Sequence, residues 1–241
     1  MPFLVIANWK TNGSAATARE FVEAICPAYT SPECCRSYRV VLCPPFTAMP
    51  FLSSYVQDMD LGGQDCFSKA GKSCTGEISP SMLRECGCKY VILGHSDRRQ
   101  ILNEDNSCIK LKATGAIEEG LTPIICVGET KSERDRGDSA SVLFDQCSSC
   151  FPDNGEFIVA YEPVWAIGGL SIPELSVIDD AFKVIRSHNP KHKIVYGGSV
   201  NGSNIFSLKN GISGIDGVLV GNASLNVDSF GRILDNLMEC L

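Results

Sequence analysis

The sequence predicts a single (β/α)8 barrel over residues 1–241. Three observations carry this expectation. Eight short apolar runs, each the length of a buried strand, recur along the chain. Segments of helical character separate them, and that alternation builds a parallel sheet with crossover helices. No stretch rich in proline, glycine or serine divides the chain, and barrels of roughly 200–250 residues fold as one domain. A doubly wound open sheet is the competing architecture. It loses ground because no G-x-G-x-x-G follows the first run.

Phe3–Ala7 is the first candidate strand and leads into Asn8-Trp9-Lys10. Val40–Cys43 and Leu61–Gln64 are the second and third. The next segment, Gln64–Gly76, is long for a connection, which favours a functional loop. Ser79-Pro80 reads as a helix start, with the proline just inside the first turn. Tyr90–Leu93, Pro123–Val127 and Phe157–Tyr161 are strands four to six. Glu174–Ser187 then sets Leu175, Ile178, Phe182 and Ile185 at steps of three and four, one face of a helix. Ile194–Tyr196 and Val218–Val220 complete the strands. Val227–Leu241 repeats the helical spacing through Val227, Phe230, Ile233, Leu234, Leu237 and Met238.

Composition narrows the partners. The hydrophobic fraction of 44% supports a sizeable core. A formal charge of -7 argues against nucleic acid and anionic membranes as partners, yet leaves room for an anionic substrate held by backbone N–H groups and one lysine. No apolar stretch approaches the roughly 20 residues of a membrane span, and no basic leader precedes Phe3. The expectation is a soluble, cytoplasmic protein. The 13 cysteines are odd in number and scattered, which fits reduced thiols better than a disulfide framework. Cys86-Gly87-Cys88 and Cys147-Ser148-Ser149-Cys150 invite a metal reading, but His95, His188 and His192 all lie far from both pairs. No metal site and no cofactor are expected.

In a barrel, functional groups sit at the carboxyl ends of several strands. Strand one ends in Lys10, four in His95, six in Glu162, seven in Gly197-Gly198-Ser199 and eight in Gly221-Asn222. An amine, an imidazole, a carboxylate and two glycine-bearing turns thus share one rim. Glu162 stands out. It follows a buried strand, Pro163 stiffens its exit, and Gly168-Gly169 lets the next segment bend. A desolvated carboxylate beside a hinged loop suits a general base under a lid. Singly, each has a plainer reading: Glu162 as an ordinary strand-end acid, Lys10 as a solvated charge, His95 as a satisfied core histidine. Their convergence on one rim favours a site.

These residues lie in seven motifs: NWKTN at 8–12, CTGEIS at 74–79, VILGHSDRR at 91–99, ICVGET at 125–130, AYEPVWAIG at 160–168, YGGSV at 196–200 and GVLVGNASL at 217–225. In order and spacing the chain resembles the triosephosphate isomerase family almost end to end. The resemblance implies interconversion of dihydroxyacetone phosphate and glyceraldehyde 3-phosphate without cofactor. It implies Glu162 as base, His95 as neutral electrophile, Lys10 as electrostatic stabiliser and Asn8 as a hydrogen-bonding partner of substrate oxygens. Trp9 is expected to pack. It further implies phosphate held by the backbone of Gly168, Ser199, Gly221 and Asn222, with a helix starting after Gly221 adding its dipole. The lid would be 163–172. A homodimer is implied too, with Cys74 and Thr75 in the interface and Thr75 supporting the partner's Asn8 and Lys10.

Three departures from the family pattern matter. Asp97 replaces the usual glutamate and is one methylene shorter, which puts its reach to Lys10 in question. The lid is about two residues short after Gly169, which alters the contacts expected of Tyr196 and Ser199. Asn222 replaces the second glycine of the strand-eight pair, so its side chain stands where the phosphate is expected. Two other readings stay open: an inactive barrel kept as a phosphate-binding or scaffold protein, and a different phosphate-binding barrel such as a sugar-phosphate epimerase.

Overall fold

The computed structural model describes residues 2–52, 55–56, 58–67, 73–169, 172–188 and 190–238. Eight parallel strands close into a barrel in chain order: β1 (Phe3–Asn8), β2 (Tyr38–Cys43), β3 (Asp60–Gly63), β4 (Cys88–Leu93), β5 (Thr122–Val127), β6 (Ile158–Tyr161), β7 (Lys193–Tyr196) and β8 (Gly217–Val220). Pairing of Leu4 with Gly217 through Ala7 with Val220 shuts the sheet. Helices α1 (Ala15–Tyr29), α2 (Cys34–Ser37), α3 (Met49–Leu52), α4 (Pro80–Glu85), α5 (Ser96–Ile101) and α6 (Asn106–Glu118) accompany the first half. In the second half come α7 (Lys131–Asp135), α8 (Ser139–Cys150), α9 (Leu175–His188), α10 (Ile205–Gly211) and α11 (Val227–Met238). The barrel expectation holds.

Strand alternation sorts the core into two layers. Leu4, Ile6, Val41, Ile92, Ile124, Ile158, Val195 and Leu219 fill the lumen. Val5, Leu42, Val91, Ile125, Val159 and Val218 face outward under the helices. On α9, Ile178, Phe182 and Ile185 are buried as their spacing predicts, and Leu175 packs half-buried at the edge. Ser14 caps α1 in a reciprocal box with Thr17, and Ser79 caps α4 with Pro80 inside the first turn.

Most strands start one or two residues earlier than the sequence reading, as at Tyr38, Asp60 and Cys88, and two apolar-run ends fall outside their strands. Phe157 lies outside β6, its ring stacked 3.8 Å from His192 and 4.9 Å from Phe151. Gln64 lies just past β3, and its side-chain amide donates to the carbonyls of Lys10, beyond β1, and of Cys43, at the end of β2. Helix α11 is described to Met238, and the rest of the predicted Val227–Leu241 segment lies outside the described residues. Among the described residues no helix is long and apolar enough to cross a membrane.

Candidate active site

The carboxyl ends of the strands meet around a cavity of about 300 Å³ lined by Asn8, Lys10, His95, Glu162, Gly168, Ser199, Gly221 and Asn222. Every catalytic and substrate-binding residue expected from the sequence therefore faces one space. Cys74 and Thr75 do not; they sit exposed on the loop after β3. Lys69 and Lys72 of that loop, and Leu170 and Ser171 of the lid, lie outside the described residues.

Glu162 is 2% exposed at the exit of β6. Its amide donates to Val127 O at 2.8 Å, anchoring the backbone across the sheet. Its Oε2 accepts from the Ser96 amide at 3.1 Å, and its Oε1 lies 3.2 Å from His95 Nε2. Two glycines make room for it. A Cβ on Gly197 would lie 2.8 Å from Glu162 Cγ, and one on Gly128 only 1.8 Å from the Glu162 carbonyl oxygen. Buried beside the carboxylate, the Cys126 thiol is pushed well above its usual range, first by burial and then by the charge of Glu162.

His95 is the N-cap of α5, and its Nδ1 accepts from the Asp97 amide at 3.1 Å. That bond occupies the Nδ1 lone pair, so the ring hydrogen sits on Nε2, facing Glu162 and the cavity. Asp97 Oδ2 also approaches Nδ1, at 3.5 Å.

Among the described residues, Lys10 is one of two non-glycine residues with positive φ, at 52°. Such a conformation costs on the order of 1–3 kcal/mol and persists only where its surroundings enforce it. Gln64 does so: its side-chain amide donates to Lys10 O at 2.7 Å and to Cys43 O at 3.0 Å. The Lys10 amide in turn donates to Asn8 Oδ1 at 3.1 Å. Lys10 Nζ lies 3.0 Å from Asp97 Oδ2. The shorter acid thus does reach the lysine, against the doubt raised by its length. Trp9 packs as expected, donating its indole N–H to Ser224 O and meeting Phe21 edge-on.

The lid begins as a 3-10 turn, Val164–Ala166. Trp165 Nε1 donates to Glu129 at 3.0 Å, and Ser199 Oγ donates to Ala166 O at 2.7 Å. Glu129 is fully buried and also accepts from Tyr161 OH. Burial, then the Glu129 charge, pushes the Tyr161 phenol up, which keeps it a donor. The buried Tyr196 hydroxyl has no hydrogen-bond partner among the described residues. One expectation needs correction. Gly221 leads into a single 3-10 turn, Asn222–Ser224, and α11 begins only at Val227. The turn is fixed by Ser224 donating to Val220 and Gly221 carbonyls, so amides but no long helix face the cavity there.

Gln64 and Glu129 carry no role in the sequence reading. Both sit just past strand ends, after β3 and β5, and the rule that singles out Lys10, His95 and Glu162 applies to them equally. Among the described residues no group of three or more His, Cys, Asp or Glu is placed to hold a metal ion. The twelve described cysteines are free thiols.

The sequence profile of the triosephosphate isomerase family matches residues 3–237. Triosephosphate isomerase from Ehrlichia chaffeensis is 44% identical over 97% of this chain and 96% of its own. That of the Wolbachia of Brugia malayi is also 44% identical, over 98% of both. In three dimensions the chain superposes on the crystal structure of triosephosphate isomerase from Bartonella henselae with a TM-score of 0.87. The sequence identity there is 30%, with 98% and 99% of the two chains covered.

Proposed function

We propose, for a chain that belongs to the triosephosphate isomerase family and interconverts dihydroxyacetone phosphate and D-glyceraldehyde 3-phosphate, that Glu162 and His95 carry the proton transfers. The observation that carries this is the pairing of Glu162 Oε1 with His95 Nε2 at 3.2 Å on the wall of the cavity. Glu162 takes the proton alpha to the substrate carbonyl and returns it at the neighbouring carbon. His95 Nε2–H donates to the oxygen on which negative charge develops and moves protons between the two oxygens. Lys10, cationic and kept in reach of both oxygens by its enforced backbone, stabilises the enediolate and the phosphate. Asn8 hydrogen-bonds the substrate oxygens.

The phosphate rests on backbone amides of Gly168, Ser199, Gly221 and Asn222, the groups that line the far side of the same cavity. Residues 163–172 close over it. Closure matters because the enediolate phosphate can lose phosphate to water. The chain acts without cofactor as one barrel domain, in the cytoplasm and as a homodimer. In the dimer, the loop bearing Cys74 and Thr75 enters the partner's groove beside Asn8 and Lys10. An exposed, open groove between Lys10, Phe46, Gln64, Asp97 and Leu102 supports that docking. A coupled isomerase assay on purified protein tests the activity and the residue roles, with Glu162 and His95 variants alongside. Sedimentation of a fully active monomer at micromolar concentration would remove the dimer from this account.

A further inference from the structure

The opposite mouth of the barrel is built unevenly. On the β2–β4 side it is closed by ions: Asp60, 3% exposed, accepts from both Arg39 Nε at 2.6 Å and Arg39 Nη2 at 2.8 Å, and Lys89 Nζ lies 2.6 Å from its Oδ1. Burial alone would raise the Asp60 carboxyl, but these bonds hold it below its usual range. On the β6–β7 side lies a cavity of about 440 Å³. Lys191 and Lys193 line it. Lys193 shares its face of β7 with Val195, which points into the lumen, so its ammonium enters from below the lumen core. Neither lysine has an ion-pair or hydrogen-bond partner among the described residues. Tyr90 brings a hydroxyl from β4, and the stacked Phe157–His192 pair forms a flat wall. Exposed Glu156 is the sole carboxylate of the lining, which leaves the cavity one net positive charge in a chain of -7. Arg39 and Lys89 are thus ion-paired on the β2–β4 side, whereas no ion pair holds Lys191 or Lys193 among the described residues.

We propose that this cavity is a second binding site, for a small polyanion carrying a phosphoryl group or clustered carboxylates. Two ammonium groups give the charge, the Tyr90 hydroxyl a neutral donor, and the ring wall a surface for the ligand's carbon skeleton. The site is separate from the isomerase rim, since its lining residues begin the strands that Glu162 and His95 end.

The test is an NMR titration of the histidine imidazoles at fixed pH and ionic strength. The isomerase site is first saturated with an inert phosphate analogue of the substrate. Pyrophosphate and citrate are then added in separate series. His192 resonances should shift saturably with Kd below about 1 mM, while those of His95 and His188 stay in place. Response to one probe alone assigns the ligand as phosphoryl or carboxylate. Lys191→Ala/Lys193→Ala should weaken the titration at least about tenfold, near 1.4 kcal/mol, with isomerase turnover unchanged. If that variant loses turnover through misfolding, Lys191→Gln on the exposed loop carries the comparison. Absence of a saturable His192 shift, or an identical titration in the lysine variants, overturns the proposal.

Discussion

Shortening the proposed base by one methylene is the sharpest perturbation of the site. In Glu162→Asp the carboxylate retracts by roughly 1.5 Å, one carbon–carbon bond. The backbone cannot follow. The Glu162 amide is fixed to Val127 O at 2.8 Å, Gly197 N is fixed to Tyr161 O at 2.8 Å, and the Glu162 carbonyl sits against Gly128 with no space to spare. The side chain therefore takes the whole displacement. Contacts of 3.1 Å to the Ser96 amide and 3.2 Å to His95 Nε2 both stretch beyond hydrogen-bond range. A misplacement of about 1 Å between reacting groups costs about 100-fold, or roughly 2.7 kcal/mol of barrier. The coupled isomerase assay should show kcat down by that factor with KM little changed, because the phosphate loops are untouched. Circular dichroism should show an intact fold. A kcat within about threefold of the parent, a barrier change under roughly 0.7 kcal/mol, would refute Glu162 as the base.

Other perturbations separate the remaining roles. His95→Gln should lower turnover far more than it weakens binding of an inert phosphate analogue, since the Nε2 hydrogen bond strengthens mainly in the transition state; equal losses in kinetics and calorimetry would make His95 a simple binding residue. Asp97→Glu should leave kcat and KM within about twofold, because Asp97 already meets Lys10 at 3.0 Å and a half-exposed ion pair is worth no more than about 1 kcal/mol; a large loss would mean the surroundings have repacked around the shorter acid. Burial pushes the Asp65 carboxyl from 3.8 up to about 6, against the opposing pull of Lys112 and Arg98. Between those values the folded chain keeps a proton the unfolded chain has released, so this group's contribution to stability falls as pH rises through the window and is flat above it. Urea denaturation at several pH values should show that slope flattened in Asp65→Asn, and an unchanged slope would assign it elsewhere.

The barrel was legible because its strands are buried on both faces, so each reads as an unbroken apolar run whatever surrounds it. The site was legible for a related reason: a charged residue directly after such a run has nowhere to go but the rim. Contacts that depend on tertiary approach were not legible. Gln64 reads as a strand residue until the positive φ of Lys10 and the carbonyls it clamps are seen. Phe157 reads as strand until it is found stacked on His192, a partner 35 residues away in the chain. Side-chain length misleads at Asp97, because reach depends on where the first turn of α5 sits relative to Lys10, and there the shorter acid meets the ammonium at 3.0 Å. The family resemblance alone implies a helix after Gly221; the chain instead closes a single 3-10 turn there, Asn222–Ser224, before α11 begins.

The most direct measurement is the fate of the transferred hydrogen. Purified protein converts dihydroxyacetone phosphate in D2O, with Glu162→Gln in parallel, and proton NMR reads the carbon next to the carbonyl in the product. A carboxylate base exposes the abstracted proton to exchange, so the parent should place deuterium at that carbon. The glutamine variant keeps the shape of Glu162 but not its basicity, and should lose turnover by about 100-fold or more. A glutamine variant as active as the parent, or one that still places deuterium at that carbon at the parent's rate, would contradict proton transfer through Glu162.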